Sequence, residues 1–287
     1  MKRANHTELR EFVFQGFSNF QEHQLTFFVV FLALYILTLA GNFHHSETFY
    51  SLVIIPCMLS SLVGLSQPIS LEGCGTQIFF FLGFAITNCL LLAVMEYDHY
   101  VAICNPLRYS VIMNCRVCAI LASSVCATGF SLSLVQTVAI FRLLFCTPLI
   151  EHFFCDVQPV LDLAWATPMI NDILTLIMSL LAITAPATFL SISYVLIIST
   201  ILKITSAEGG KKTFATCASH LTAVIIHYGC ASIAYFKPNL ENTKDQDQLI
   251  SVTYTVITPL LNPVVYGLRN KEVQDALQRV LGRKFFS

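Results

Sequence analysis

Charge is scarce in this chain. Lys, Arg, Asp and Glu make up 11% of its 287 residues, 55% are hydrophobic, and the mean hydropathy is +0.70. Soluble domains carry about 25% charged residues, so a water-soluble fold could not hide this much apolar surface. No basic cluster interleaved with aromatics is present, which excludes a nucleic-acid surface. A basic segment leading into a short apolar stretch and a small-residue cleavage site is also missing, so no cleaved signal peptide is expected. No internal repeat is found, and apart from Glu47 and Glu96 no ionisable side chain is expected to face a path at mid-membrane, which argues against a transporter or channel. No motif gathers a nucleophile, a base and an orienting group, so an enzyme is not expected.

What the chain has instead is long apolar runs. Seven are expected to span a bilayer: Leu25 to Phe43, Phe49 to Leu65, Gln77 to Met95, Val117 to Phe145, Ile173 to Leu202, Phe214 to Phe236 and Gln248 to Leu268. Lipid offers no water to backbone groups, so each is expected to be a helix. The fold expected is an all-α bundle of seven transmembrane helices over residues 25–268, preceded by a polar N-terminal segment, 1–24, and followed by a tail, 269–287. In that tail Val273, Ala276, Leu277, Val280 and Leu281 recur at helical spacing beside Arg279, Arg283 and Lys284, the pattern of an amphipathic eighth helix lying on the membrane.

Orientation follows from the basic residues. With the N-terminus extracellular, ten of the sixteen Lys and Arg fall on the cytoplasmic side, six on the other. Positive charge marks the inside, so the C-terminus is expected in the cytoplasm. Asn5, in Asn5-His6-Thr7, is then a glycosylation acceptor. Seven cysteines (Cys57, Cys89, Cys104, Cys118, Cys126, Cys217 and Cys230) lie within or beside apolar runs, where cysteine behaves as a small hydrophobe. Cys74, Cys146 and Cys155 remain where an oxidising compartment could join them, and Cys74 can pair with either loop cysteine. His44-His45 reads as a polar turn, and no metal or other cofactor is expected.

Five motifs carry a resemblance. "EFVFQGFS" (Glu11 to Ser18), "MEYDHYVAICNPLRYSVIM" (Met95 to Met113), "KKTFATCASHL" (Lys211 to Leu221) and "PLLNPVVYGLRNKEV" (Pro259 to Val273) resemble signatures of the odorant receptors, rhodopsin-like G-protein-coupled receptors. "SYVLIISTILKI" (Ser193 to Ile204) is similar to their fifth-span signature, and together the matches cover nearly the whole chain. The resemblance implies a small hydrophobic odorant as ligand and a stimulatory heterotrimeric G protein as partner. It implies an odorant pocket among Phe81, Leu82, Ala85 and Ile86 of the third span, Tyr228, Ala231, Ser232 and Tyr235 of the sixth, and Thr255 of the seventh. The coupling and switch positions are Asp98, His99, Tyr100, Lys211, Lys212, Asn262, Pro263 and Tyr266, and the implied disulfide joins Cys74 to Cys155.

The sequence departs from the family at three places. The family pattern MAYDRY has arginine where this chain has His99, and alanine where it has Glu96. Histidine holds its charge only near or below a pKa of about 6.5 and cannot present a five-donor fork, so weaker or absent coupling is expected. In "AGNFHHSETFY" (Ala40 to Tyr50), Asn42 and Glu47 match residues that the family keeps in successive helices, yet four residues separate them here. About two dozen residues of the first inner loop and the adjoining helix ends are missing relative to the family, which leaves helices of ~25–27 Å against a hydrocarbon core of ~30 Å. Trp165 stands where the family carries a third loop cysteine, so Cys146 is left as a free thiol. These departures raise a second expectation beside the receptor: a non-signalling remnant, retained in the endoplasmic reticulum or reaching the surface without coupling.

Overall fold

The computed structural model describes residues 11–14, 24–41, 47–62, 68–166, 169–202, 221–222, 224–233, 236 and 250–257. Its frame is helical. The elements are β1 (Glu11–Phe14), α1 (Gln24–Gly41), α2 (Glu47–Leu62), β2 (Ile69–Ser70), α3 (Leu71–Cys104), a 3-10 turn (Pro106–Arg108), α4 (Tyr109–Ile112), α5 (Cys115–Phe141), β3 (Leu149–Ile150), α6 (Val157–Leu161), α7 (Met169–Ser179), a π-helical turn (Leu180–Thr184) and α8 (Ala185–Ile201). A shorter apolar helix, α9 (Val224–Ile233), and a second π-helical turn (Thr253–Ile257) follow.

Among the described residues, three helices are long and apolar enough to cross a membrane: α3, α5 and the continuous helix Met169–Ile201. At 1.5 Å per residue each exceeds the ~30 Å hydrocarbon thickness. Their burial differs, and the difference locates the core. Half of the most apolar window of α3 is buried, against 17% in α5 and 28% in Met169–Ile201. The third helix is therefore the pillar, with α2, α5 and α8 packed around it. The outer helices turn Ile120, Leu134, Val135, Ile192, Val195 and Leu196 outward. Such a surface is costly in water and matched to acyl chains.

Local chemistry sets the helix ends. Ser70 caps α3 by accepting from the Gly73 N–H at 3.0 Å, and Asn114 caps α5 by accepting from Val117 at 3.0 Å. The third helix runs beyond the expected Gln77 to Met95 at both ends, because Ser70 starts it early and the polar Glu96-Tyr97-Asp98-His99 stays helical until Pro106 stops it. The fourth span ends at Phe141, four residues before the expected Phe145: the chain leaves the helix at Arg142 and enters an antiparallel bridge, Phe145 with Ala164. The fifth begins at Met169 rather than Ile173. Pro186 lacks an N–H and its ring would crowd the Ala182 carbonyl, and the wider π turn at Leu180–Thr184 lies where that misfit is absorbed.

Two glycines set how closely α3 and α5 approach. A Cβ on Gly83 would lie 2.6 Å from the Phe130 ring, and one on Gly129 would strike the Thr87 hydroxyl and come 3.0 Å from the Thr87 backbone nitrogen. The Phe130 ring stacks edge-on against Phe84 at 5.1 Å, and Ser133 Oγ donates to the Phe79 carbonyl at 2.6 Å. Small residues that let backbones meet, with a polar bond across, are how helices associate without a hydrophobic driving force.

The shortened first hairpin is helical on both sides: α1 has 18 residues, α2 has 16, and they pack against each other. The turn His44 to Ser46 lies outside the described residues.

One element has no counterpart among the sequence expectations. Glu11–Phe14, within the segment read as a polar leader, forms the central strand of a three-stranded sheet in the order β2-β1-β3. It pairs antiparallel with β2 (Glu11 with Ser70, Phe12 with Ile69) and parallel with β3 (Val13 with Leu149, Phe14 with Ile150). The alternation in Glu-Phe-Val-Phe buries Phe12 and Phe14, and Phe12 meets Phe145 edge-on at 5.3 Å.

Candidate ligand-binding site

The loop between α5 and α7 is folded over the Cys74 end of the bundle. Cys74 and Cys155 form a disulfide with Cα atoms 5.6 Å apart, which ties the loop to the start of α3. Gln77, nearly one turn further along, strengthens the tie. Its Oε1 accepts from the Cys155 N–H at 2.9 Å, while its Nε2 donates to the Val53 carbonyl of α2 at 3.1 Å. Loop, α2 and α3 thus meet at one buried side chain. Next to the disulfide, His152, Phe153 and Phe154 are buried; Phe154 meets Phe81 edge-on at 5.3 Å, and His152 Nε2 lies 3.0 Å from Ser251 Oγ. Burial pushes the His152 pKa down to about 3, so the ring is neutral at physiological pH.

Beneath this roof lies a cavity of about 90 Å³. The third helix lines it with Phe81, Leu82, Ala85, Ile86 and Cys89. Gln136 of α5 and Val157 of α6 close one side, and Thr175, Met178, Ser179, Ala182 and Ile183 of α7 and the π turn another; His227 and Ala231 of α9 complete the wall. The lining is almost wholly apolar, with polar groups at its margin. Gln136 Nε2 donates to Thr175 Oγ1 at 2.8 Å, Ser179 Oγ donates to the Thr175 carbonyl at 2.9 Å, and Cys89 Sγ and His227 Nε2 lie 3.3 Å apart. A small apolar site of this kind suits an apolar molecule oriented by one or two hydrogen bonds.

Of the pocket residues expected from the sequence, Phe81, Leu82, Ala85, Ile86 and Ala231 meet at this cavity. Tyr228 is buried beside it, and its hydroxyl donates to the Cys89 carbonyl at 2.6 Å. Thr255 is buried and donates to the Ser251 carbonyl within its own helix at 2.6 Å. Neither of them, nor Ser232, lines the cavity. Tyr235 lies outside the described residues. Gln136, Thr175 and Ser179 were not anticipated; Gln136 is a polar side chain in an apolar run, and that anomaly is the signal that could have singled it out.

At the opposite end of α3, Asp98, His99 and Tyr100 are half-buried. Asp98 Oδ1 accepts from the Tyr109 hydroxyl of α4 at 2.8 Å, so the acid is held by a tyrosine of the following short helix. The same bond, with the carboxylate charge behind it, raises the Tyr109 phenol pKa. Glu96 is fully buried in the turn preceding Asp98. Lys211, Lys212, Asn262, Pro263, Tyr266, Asn5 and the amphipathic tail lie outside the described residues.

The loop also bears on Trp165. Cys146 is a free, exposed thiol and Trp165 is 79% exposed. Without a covalent bond, the two limbs are joined by backbone alone: Cys146 N–H donates to the Leu163 carbonyl at 2.8 Å and Trp165 N–H to the Leu144 carbonyl at 2.9 Å.

Comparison with known proteins completes the description. Residues 23–284 match the olfactory receptor family. Olfactory receptor 10J1 of Homo sapiens is 60% identical over 308 residues, covering 99% of this chain and 96% of that protein. Olfactory receptor 10J5 of Mus musculus is 55% identical, and olfactory receptor 10J5 of Homo sapiens 53%, each covering 99% of both chains. The first match extends over 308 residues, while 99% of 287 is about 284, so about two dozen positions have no residue in this chain. That is the size expected for the segment missing between α1 and α2.

Proposed function

Because the chain belongs to the olfactory receptor family of class A G-protein-coupled receptors, we propose that it binds small volatile ligands in the cavity beneath the disulfide-tied loop and signals through a stimulatory G protein. The observation that carries this reading is the apolar cavity between α3, α5, α7 and α9, whose lining includes Phe81, Leu82, Ala85, Ile86 and Ala231. Tyr228, Ser232, Tyr235 and Thr255 extend the ligand-contacting set as the bundle closes on its occupant. The chain sits in the plasma membrane with residues 1–24 outside and glycosylated at Asn5, residues 25–268 as seven spans, and residues 269–287 inside with an amphipathic eighth helix.

A ligand that packs better against one arrangement of the helices shifts the population toward it, and the shift can be no larger than that difference in affinity. At the inner end, Asp98, His99 and Tyr100, with Lys211, Lys212, Asn262, Pro263 and Tyr266, form the coupling and switch region. His99 is the weak link, because a neutral imidazole offers one donor where a guanidinium offers five.

The test is a cyclic-AMP reporter in cells bearing the chain with an N-terminal tag, challenged with an odorant panel, with wild type and His99→Arg in parallel and surface staining for both. The expected result is surface staining, a small dose-dependent response from wild type, and at least a tenfold larger one from His99→Arg. Surface-expressed protein of both kinds that stays silent to every ligand it binds would refute the transducing role.

A further inference from the structure

We infer that the cavity selects neutral hydroxyl-bearing ligands, aliphatic alcohols or phenols, through the amide oxygen of Gln136; this rests on the cavity being the odorant site. Gln136 is 3% exposed, it lines the cavity, and its Oε1 is a buried atom without a hydrogen-bond partner. The other end of the same amide is occupied, since Nε2 donates to Thr175 Oγ1 at 2.8 Å. Further polar atoms of the wall are also engaged: Ser179 with the Thr175 carbonyl, Cys89 with His227.

A buried carbonyl oxygen left without a donor is costly, and a ligand that brings an O–H removes that cost on entering. A ketone, ester or hydrocarbon of the same shape leaves the oxygen bare. Ions are excluded for a different reason. Among the described residues the wall holds no Lys, Arg, Asp or Glu, so an ammonium or carboxylate would lose its hydration without gaining a counter-charge from them. An amide ligand could donate to Oε1 but would bury a second carbonyl of its own. A single hydroxyl on an apolar body is the chemistry that satisfies the wall.

The test uses the purified full-length chain in lipid nanodiscs and three probes of one skeleton: cyclohexanol, cyclohexanone and methylcyclohexane. Direct binding, read by ligand-observed saturation-transfer NMR, keeps the outcome independent of G-protein coupling. Cyclohexanol is expected to bind about tenfold more tightly than the other two. Gln136→Met removes that margin, with methylcyclohexane binding reporting that the variant is folded. Thr175→Val frees the amide N–H, and cyclohexanone then rises toward cyclohexanol. Equal binding of cyclohexanol and cyclohexanone to the wild type, or a margin that survives Gln136→Met, overturns the selectivity while the cavity remains a ligand site. Failure of all three probes to bind, or binding unchanged by Ala231→Trp, which fills the cavity, overturns the ligand site as well.

Discussion

Replacing Gln77 by leucine should loosen the loop over the cavity without touching the cavity wall. Gln77 accepts from the Cys155 N–H and donates to the Val53 carbonyl, so leucine strands a buried N–H and removes one bond from a carbonyl that lies within α2. The stranded donor costs about 1–3 kcal/mol, and the lost second acceptor bond adds about 0.5–1 kcal/mol. Taken together this is roughly 2–4 kcal/mol, or a drop in Tm of about 4–8 °C for a chain of this size. Fluorescence-detected size exclusion after heating measures it on a fluorescent fusion. The mechanism has a sharper signature in a double-mutant cycle. If Gln77 acts by holding the loop, its removal matters less once Cys74→Ser and Cys155→Ser have already released that loop, and the two losses should be sub-additive by 0.5–3 kcal/mol, the range typical of coupled neighbours. Strict additivity, or no loss in the disulfide-bonded protein, would sink the argument that one side chain couples α2, α3 and the loop.

Other outcomes follow from features already described. Gly129→Val should abolish folded protein, because its added carbons meet the Thr87 backbone, whereas Gly229→Ala, with nothing within 4 Å of the new Cβ, should raise stability by about 0.5–1 kcal/mol through helix propensity; the same heating assay separates them. The folded-state pKa of His152, about 3, lies below the unfolded value of 6.5, so the unfolded chain takes up the proton first. Stability should therefore be flat above pH 6.5 and fall below it, by about 2 kcal/mol at pH 5, and His152→Gln should flatten the profile. Trp165→Cys should pair with Cys146 and, by closing a loop of about 20 residues, add up to about 3 kcal/mol; peptide mapping under non-reducing conditions detects the bond.

The three long helices α3, α5 and Met169–Ile201 were legible because apolar length in a bilayer permits almost nothing else, and the Cys74 to Cys155 bond was legible through the resemblance. The third-helix residues Phe81, Leu82, Ala85 and Ile86 were placed by the same route and do face one cavity. Gln136 and Thr175 escaped because an isolated polar residue in a long apolar run has the same sequence appearance whether it faces a cavity, a neighbour or its own backbone. The strand Glu11–Phe14 escaped for another reason. Four residues give two alternations, too few to stand out, and its partners lie at Ile69–Ser70 and Leu149–Ile150, separations that no local pattern reveals. The wide turn at Leu180–Thr184 was foreshadowed only by Pro186, which permits a kink, a break or a bulge alike.

That small sheet also imposes an order on how the protein is made. Its central strand, Glu11–Phe14, leaves the ribosome before either neighbour, yet one edge waits for Ile69–Ser70 and the other for Leu149–Ile150, after α5 is complete. During that interval two phenylalanines and two open edges are available to any other strand. This early-synthesised strand is thus among the last to be secured, and the lid over the cavity closes only when more than half of the chain exists.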